Sequence, residues 1–148
     1  MISKILIAVD GSPHSLKGVT MGAQIATGLD ARVVLLHVVK REALHAGLEE
    51  FARAEHIKVP LDIDILKEGA RHLLRTSLEA ARATGVKDIK SEVEEGPIAR
   101  TIVARAEHHN ADLIVVGSRG MGDIEGLLRG GVSHRVEILA KCPVLVVK

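Results

Sequence analysis

Apolar residues along the chain follow two alternating patterns, which are short continuous runs and longer segments with helical spacing. The short runs predict β-strands over residues 4–10, 32–39, 89–95, 113–116 and 143–147. The segments with apolar residues three and four positions apart predict helices over residues 13–27, 62–84, 97–109 and 131–140. Because strands and helices alternate, we expect a parallel sheet with helices on both faces.

The pattern is less regular over residues 41–65. Apolar spacing favours a short helix in 41–54, whereas alternation favours a strand in 57–65 that Pro60 weakens. Residues 89–95 are polar for a strand, which predicts a position near a sheet edge. In the last helix the spacing places four apolar residues on one face, namely Val132, Val136, Leu139 and Ala140.

Composition narrows the class of protein. The 148 residues, 47% of them hydrophobic, predict a single domain over 1–148 with a substantial aliphatic core. Phe51 is the only aromatic residue, which argues against stacking platforms for single-stranded nucleic acid. The formal net charge is +1 with acidic and basic residues interleaved, so we expect no nucleic-acid partner.

Nothing in the sequence predicts export or membrane insertion. The single cysteine excludes an internal disulfide framework. The apolar run Ile5–Val9 is too short for a signal peptide, and no segment approaches membrane-spanning length. We therefore expect a cytoplasmic location without membrane attachment.

A glycine-rich stretch follows the fourth predicted strand. Six glycines lie between Gly117 and Gly131, directly before a predicted helix. Glycines allow close backbone approach, and a helix N-terminus offers unpaired N–H groups, so strand, glycine loop and helix can cradle phosphate. The spacing matches neither the Walker A loop nor the dinucleotide fingerprint. A flexible connection is the alternative, although ordering so many glycines costs entropy.

Three segments carry a resemblance to a known family. The spacing of Gly117, Gly120 and Gly130, the opening Val9–Ser15 and the close Cys142–Val147 resemble the universal stress protein family. The resemblance implies an open five-stranded parallel sheet of order 3-2-1-4-5, similar to the adenine nucleotide alpha hydrolase fold. It also implies binding of ATP or a related adenine nucleotide, with or without Mg²⁺, between strands 1 and 4, where such sheets bind ligands.

The resemblance implies roles for twelve residues. Adenine and ribose are expected at Ala8, Val9, Asp10 and Val38, the sugar and α-phosphate at Gly117, Ser118, Arg119 and Gly120, and the phosphates at Gly130, Gly131, Val132 and Ser133. Gly131 departs from the family pattern, which has Ser or Thr there. Asp10 can accept from ribose or base, or it can cap the first turn, and Ser12 is better explained as a helix cap.

Catalysis is not predicted, because no general base accompanies the glycine loop and no His/Cys cluster has metal-ligand spacing. His108 and His109 are expected to favour a helix C-terminus.

Three hypotheses about function remain. The first is a nucleotide-binding regulatory protein of the stress response. The second is a slow ATPase with Asp10 or Asp123 holding Mg²⁺. The third is a dimeric interaction protein with an empty crevice. The resemblance also implies a homodimer through the C-terminal strand.

Overall fold

The computed structural model describes residues 1–40, 53–56, 63–120 and 131–148. Its strands are β1 (Lys4–Ala8), β2 (Arg32–Val39), β3 (Ile89–Glu95), β4 (Leu113–Gly117) and β5 (Val144–Val147). Its helices are α1 (Pro13–Leu29), α2 (Ile63–Arg82), α3 (Ile98–His109) and α4 (Gly131–Leu139). The five strands form one parallel sheet in the order β3-β2-β1-β4-β5, which confirms the predicted fold.

The sheet is sandwiched between two pairs of helices, and this explains why its central strands are apolar on both faces. Ile5 and Ile7 of β1 belong to a core cluster with α1 and α2, while Leu6 between them belongs to a second cluster with α3 and α4. All three side chains are 0% exposed. Burying each of them stabilises the fold by about 1.5–3 kcal/mol. The first strand is therefore buried, as its continuous apolar run predicts.

Most predicted elements are confirmed within one to three residues, and the differences have physical causes. The first strand ends at Ala8 instead of Asp10, because the chain turns there toward the cap of α1. Ile63–Ile65 begin α2, so the strand predicted for 57–65 is wrong over these three residues. Residues 57–62 and most of the predicted helix in 41–54 lie outside the described residues.

The apolar face predicted for the last helix is only partly correct. Val136 is 0% exposed and faces the core, and Ser133 beside it is also buried. Val132 and Leu139 are 37% and 44% exposed, since α4 is turned so that Ser133 and Val136 meet the sheet. Among the described helices, none is both long and apolar enough to cross a bilayer.

The edge strand β3 is attached to α3 by charged side chains. Arg105 of α3 donates to both carboxylate oxygens of Glu92, at 3.0 and 2.7 Å, and approaches Glu94 at 3.3 Å. His109 lies in the last turn of α3, as expected, and its Nε2 is 2.9 Å from Glu92 Oε1. Burial opposes ionisation of Glu92, but the hydrogen bonds from Arg105 and His109 outweigh burial and lower the pKa of its carboxyl.

We expect this cluster to make the fold sensitive to acid. Because the folded-state pKa of Glu92 lies below its ordinary value of 4.5, the ionised carboxylate stabilises the fold above that pH and loses its contribution as the pH falls through the folded pKa. Glu92→Gln should therefore flatten the decline in the free energy of unfolding between about pH 5 and pH 3, measured by urea denaturation. Ser91→Ala, exposed on the same strand, serves as the control. Parallel pH curves for Glu92→Gln and the native chain would contradict the assignment.

Candidate functional site

A cavity of about 550 Å³ opens beyond the carboxyl ends of β1, β2 and β4, where the strand order reverses. Ten of the twelve predicted site residues line it, namely Ala8, Val9, Asp10, Val38, Gly117, Ser118, Arg119, Gly120, Val132 and Ser133. Gly131 begins α4 beside it, and Gly130 lies outside the described residues. The parallel sheet thus brings together residues more than one hundred positions apart in sequence.

Seven further residues line the cavity without having been predicted, namely Ser15, Leu36, His37, Lys40, Ile98, Ile102 and Val116. Most of them are aliphatic and belong to the core cluster between the sheet and α3. Periodicity identifies such residues as core but does not show which of them border a cavity. The four aliphatic residues of this set, and the polar residues Ser15, His37 and Lys40, were therefore not predicted from the sequence.

Asp10 both shapes its turn and faces the cavity. Its Oδ1 accepts a hydrogen bond from the Ser12 N–H at 2.8 Å, which is a turn-capping contact. Its own N–H donates to Ser15 Oγ at 3.1 Å. The two alternatives weighed from sequence are therefore compatible, because the carboxylate that caps the turn also lines the cavity.

The main chain of Val9 is held by the neighbouring strand. Its N–H donates to the Leu36 carbonyl at 2.8 Å, and its carbonyl lies 2.7 Å from His37 Nδ1. Because a carbonyl only accepts, Nδ1 carries the proton in this contact. His37 thereby ties the end of β1 to β2 and holds one wall of the cavity in place.

Gly117 allows α1 to pack against the end of β4. A Cβ added at Gly117 would lie 2.8 Å from the Ser15 nitrogen and 2.9 Å from the His14 carbonyl carbon. Both are backbone atoms, which cannot move aside as a flexible side chain can. Glycine at position 117 is therefore required by helix packing, in addition to its place at the cavity.

The first turn of α1 also contacts the start of the glycine loop through side chains. Ser12 caps α1 by accepting from the Ser15 N–H at 3.2 Å, which confirms the predicted cap, and its hydroxyl donates to the Arg119 carbonyl at 3.2 Å. His14 Nδ1 lies 2.7 Å from Ser118 Oγ. The Ser118 N–H donates to the Val147 carbonyl at 2.7 Å, so this part of the loop is fixed from both sides.

The cavity combines an apolar floor with a polar, partly cationic rim. Lys40 and Arg119 are exposed at the rim, and neither side chain forms an ion pair with another described residue. The N-terminal turn of α4 contributes Val132 and the buried Ser133, and helix N-termini favour anions. In the part of the chain that the structure describes, no three His, Cys, Asp or Glu residues cluster as metal ligands. This arrangement suits a ligand with one apolar part and one anionic part.

The sheet order and the cavity at its switch point define an α/β protein of the doubly wound class. The chain belongs to the universal stress protein family, whose model matches residues 1–148. A universal stress protein of Methanocaldococcus jannaschii is 38% identical over 148 residues, covering all of this chain and 83% of that protein. These matches confirm the resemblance noted from the sequence.

Solved structures agree with this assignment. UspA from Lactobacillus plantarum has a TM-score of 0.78 and 26% identity, over 99% of this chain and 98% of that chain. A universal stress protein in complex with cAMP has a TM-score of 0.70 and 26% identity, over 99% of this chain and 97% of that chain. The fold of this chain is thus that of known members of the family.

The packing at Gly117 yields a stability prediction. Gly117→Ala should lower the free energy of unfolding by about 1–3 kcal/mol, because the new methyl group would overlap the backbone of α1. Gly28→Ala is the matched control, since Gly28 is an exposed helical glycine whose added Cβ meets nothing within 4 Å. It should be neutral or slightly stabilising. Equal urea midpoints for the two variants would show that the structure accommodates a methyl group at Gly117 without loss of stability, which would contradict the prediction.

Proposed function

We propose that this protein binds an adenine nucleotide in the cavity beyond β1 and β4 and acts as a nucleotide-binding regulatory protein of the stress response. The observation that carries the proposal is the cavity itself, with its aliphatic floor, its cationic rim and a helix N-terminus on one side. The cAMP complex of a related protein with the same fold supports an adenine nucleotide as the ligand.

The two parts of the cavity suit the two parts of a nucleotide. Leu36, Ile98 and Ile102 offer apolar surface against which a purine can pack, next to Ala8, Val9 and Val38. Asp10 lies where it can accept from ribose hydroxyls. Gly120, Val132 and Ser133 border the region where N–H groups and the dipole of α4 favour phosphate, and Lys40 and Arg119 add positive charge there. Gly130 and Gly131 belong to the same proposed cradle.

Two other hypotheses remain as outcomes of the test. A slow ATPase requires a metal ligand and a base. Of its two candidate metal ligands, Asp10 lines the cavity and Asp123 lies outside the described residues. A dimeric interaction protein without nucleotide requires that the cavity stay empty. The polar rim favours nucleotide binding over the second of these hypotheses, because an interface core is depleted of charged residues.

Calorimetric titration of the native chain with ATP, cAMP and GTP tests the proposal. Saturable binding of an adenine nucleotide is expected, and the absence of binding to both ATP and cAMP would contradict it.

Gly131→Ser should then tighten ATP binding by about tenfold or more if the new hydroxyl donates to phosphate. A Cβ at Gly131 meets nothing within 4 Å, so the fold should accept it. Gly69→Ser, an equally open helical glycine on α2, is the control and should leave ATP affinity unchanged.

We further propose a homodimer formed through β5. This strand lies at the sheet edge opposite β3, and Val144, Leu145 and Val146 are only half-buried. An apolar edge with unpaired backbone groups favours pairing with a second strand. Beside it, Ile138 and Leu139 of α4 are 67% and 44% exposed. Edge pairing between two copies would cover this apolar surface.

The dimer is tested by a charge at the edge. Val146→Lys should shift sedimentation from dimer to monomer at micromolar concentration, because the ammonium cannot be buried in the interface without a partner. Met21→Lys, at a 44% exposed apolar position on α1, is the control and should leave the dimer intact. Thermal melting by circular dichroism establishes that both variants fold. A native chain that sediments as a monomer would refute the proposed interface.

A further inference from the structure

We propose that His14 is a positioning residue that holds the Ser118 hydroxyl as a donor to the phosphate of the bound ligand. The inference rests on the proposed nucleotide function and adds to it a specific contact and the residue that controls it. Ser118 lines the cavity, whereas His14 is not among the lining residues. His14 therefore stands behind Ser118 and acts on a ligand only through it.

The main chain of Ser118 is committed elsewhere. Its N–H donates to the carbonyl of Val147 at 2.7 Å, which continues the pairing of β4 with β5 beyond Gly117. This N–H is therefore hydrogen-bonded within the sheet and is not available to a ligand. The donor that Ser118 has left for the cavity is its hydroxyl, whose oxygen lies 2.7 Å from His14 Nδ1.

The position of His14 is itself fixed by the close contact between α1 and β4. His14 occupies the first turn of α1, directly after Pro13, and Ser12 caps that turn. A Cβ at Gly117 would lie 3.1 Å from His14 Cβ, so the side chain starts in contact with the end of β4. Ser12 Oγ also donates to the Arg119 carbonyl. The position of Ser118 is thus constrained by His14, which contacts its side chain, and by Arg119, the next residue, whose carbonyl is held by Ser12.

The chemistry of the pair selects a phosphate. The role proposed for His14 requires the tautomer with the proton on Nδ1. In that tautomer the imidazole donates to Ser118 Oγ, and the hydroxyl proton of Ser118 is directed to another acceptor. A phosphate oxygen in the cavity is such an acceptor, and hydrogen bonds to charged oxygens are the stronger ones. Arg119, the next residue, adds positive charge at the same rim. A ligand without an anionic oxygen would gain less from this arrangement, because a hydrogen bond to a neutral acceptor is weaker.

The test compares AMP with adenosine, which differ by the phosphate alone. Ser118→Ala should weaken AMP by about tenfold or more, and His14→Ala by about twofold to tenfold, with adenosine unchanged for both. His14→Asn places a polar atom near the Nδ1 position and should restore AMP affinity, whereas His14→Gln reaches the Nε2 position and should not. His72→Ala, an exposed histidine on α2, is the control.

The double variant separates positioning from a general loss of structure. If His14 acts through Ser118, His14→Ala should cost no further AMP affinity in the Ser118→Ala background. Equal weakening of AMP and adenosine by His14→Ala, or unchanged AMP affinity, would overturn the inference while leaving the proposed function intact. A native chain that binds neither AMP nor adenosine, and neither ATP nor cAMP, would overturn both.

Discussion

The close approach of α1 to the end of β4 is the constraint on which the site depends. Gly117 makes it possible, since a Cβ there would meet the backbone of α1. Farther along α1, Gly22 lets the helix lie close to β1, because a Cβ at Gly22 would lie 2.7 Å from Ile7 Cδ1. With the helix at this distance, Ser12 reaches the Arg119 carbonyl and His14 reaches Ser118. The same turn leaves Asp10 facing the cavity. A slightly larger separation would break all of these contacts together.

The two edges of the sheet are protected in different ways, and the difference bears on function. At β3, ionised side chains join the strand to α3, with Arg105 bound to both oxygens of Glu92. Charged residues at an edge also discourage pairing with other chains. At β5 the strand is short, apolar and half-buried. This asymmetry is the reason to propose the dimer interface at β5 and not at β3.

Membership of the universal stress protein family agrees with the proposal that the cavity binds a nucleotide. The residues that line the cavity indicate how this chain would hold such a ligand. Among the described residues, the apolar surface that lines the cavity is aliphatic, and Phe51 is the only Phe, Trp or Tyr in the sequence. Binding of a purine here would depend on shape and apolar area, and its orientation on backbone groups and a few polar side chains. His37, which ties β1 to β2 at the cavity wall, is one of the residues that keep this geometry.

The sequence by itself determined the class of fold, the strand order through its family resemblance, and ten of the residues that line the cavity. The continuous apolar runs of β1 and β4 indicate burial on both faces, and the spacing of the glycines indicates a loop. Both features can be found without a structure, because they are local properties of the sequence. The strand expected over 57–65 was wrong over residues 63–65, because the helical apolar pattern of α2 extends through them. What only the tertiary structure decided were the contacts between residues distant in sequence. The contact of Gly117 with the backbone of α1 and the pairing of His14 with Ser118 join segments more than one hundred residues apart in sequence. The hydrogen bond from the Ser118 N–H to the Val147 carbonyl joins the glycine loop to β5. Such contacts depend on how α1 lies across the sheet, which is set by side-chain packing that no local pattern encodes.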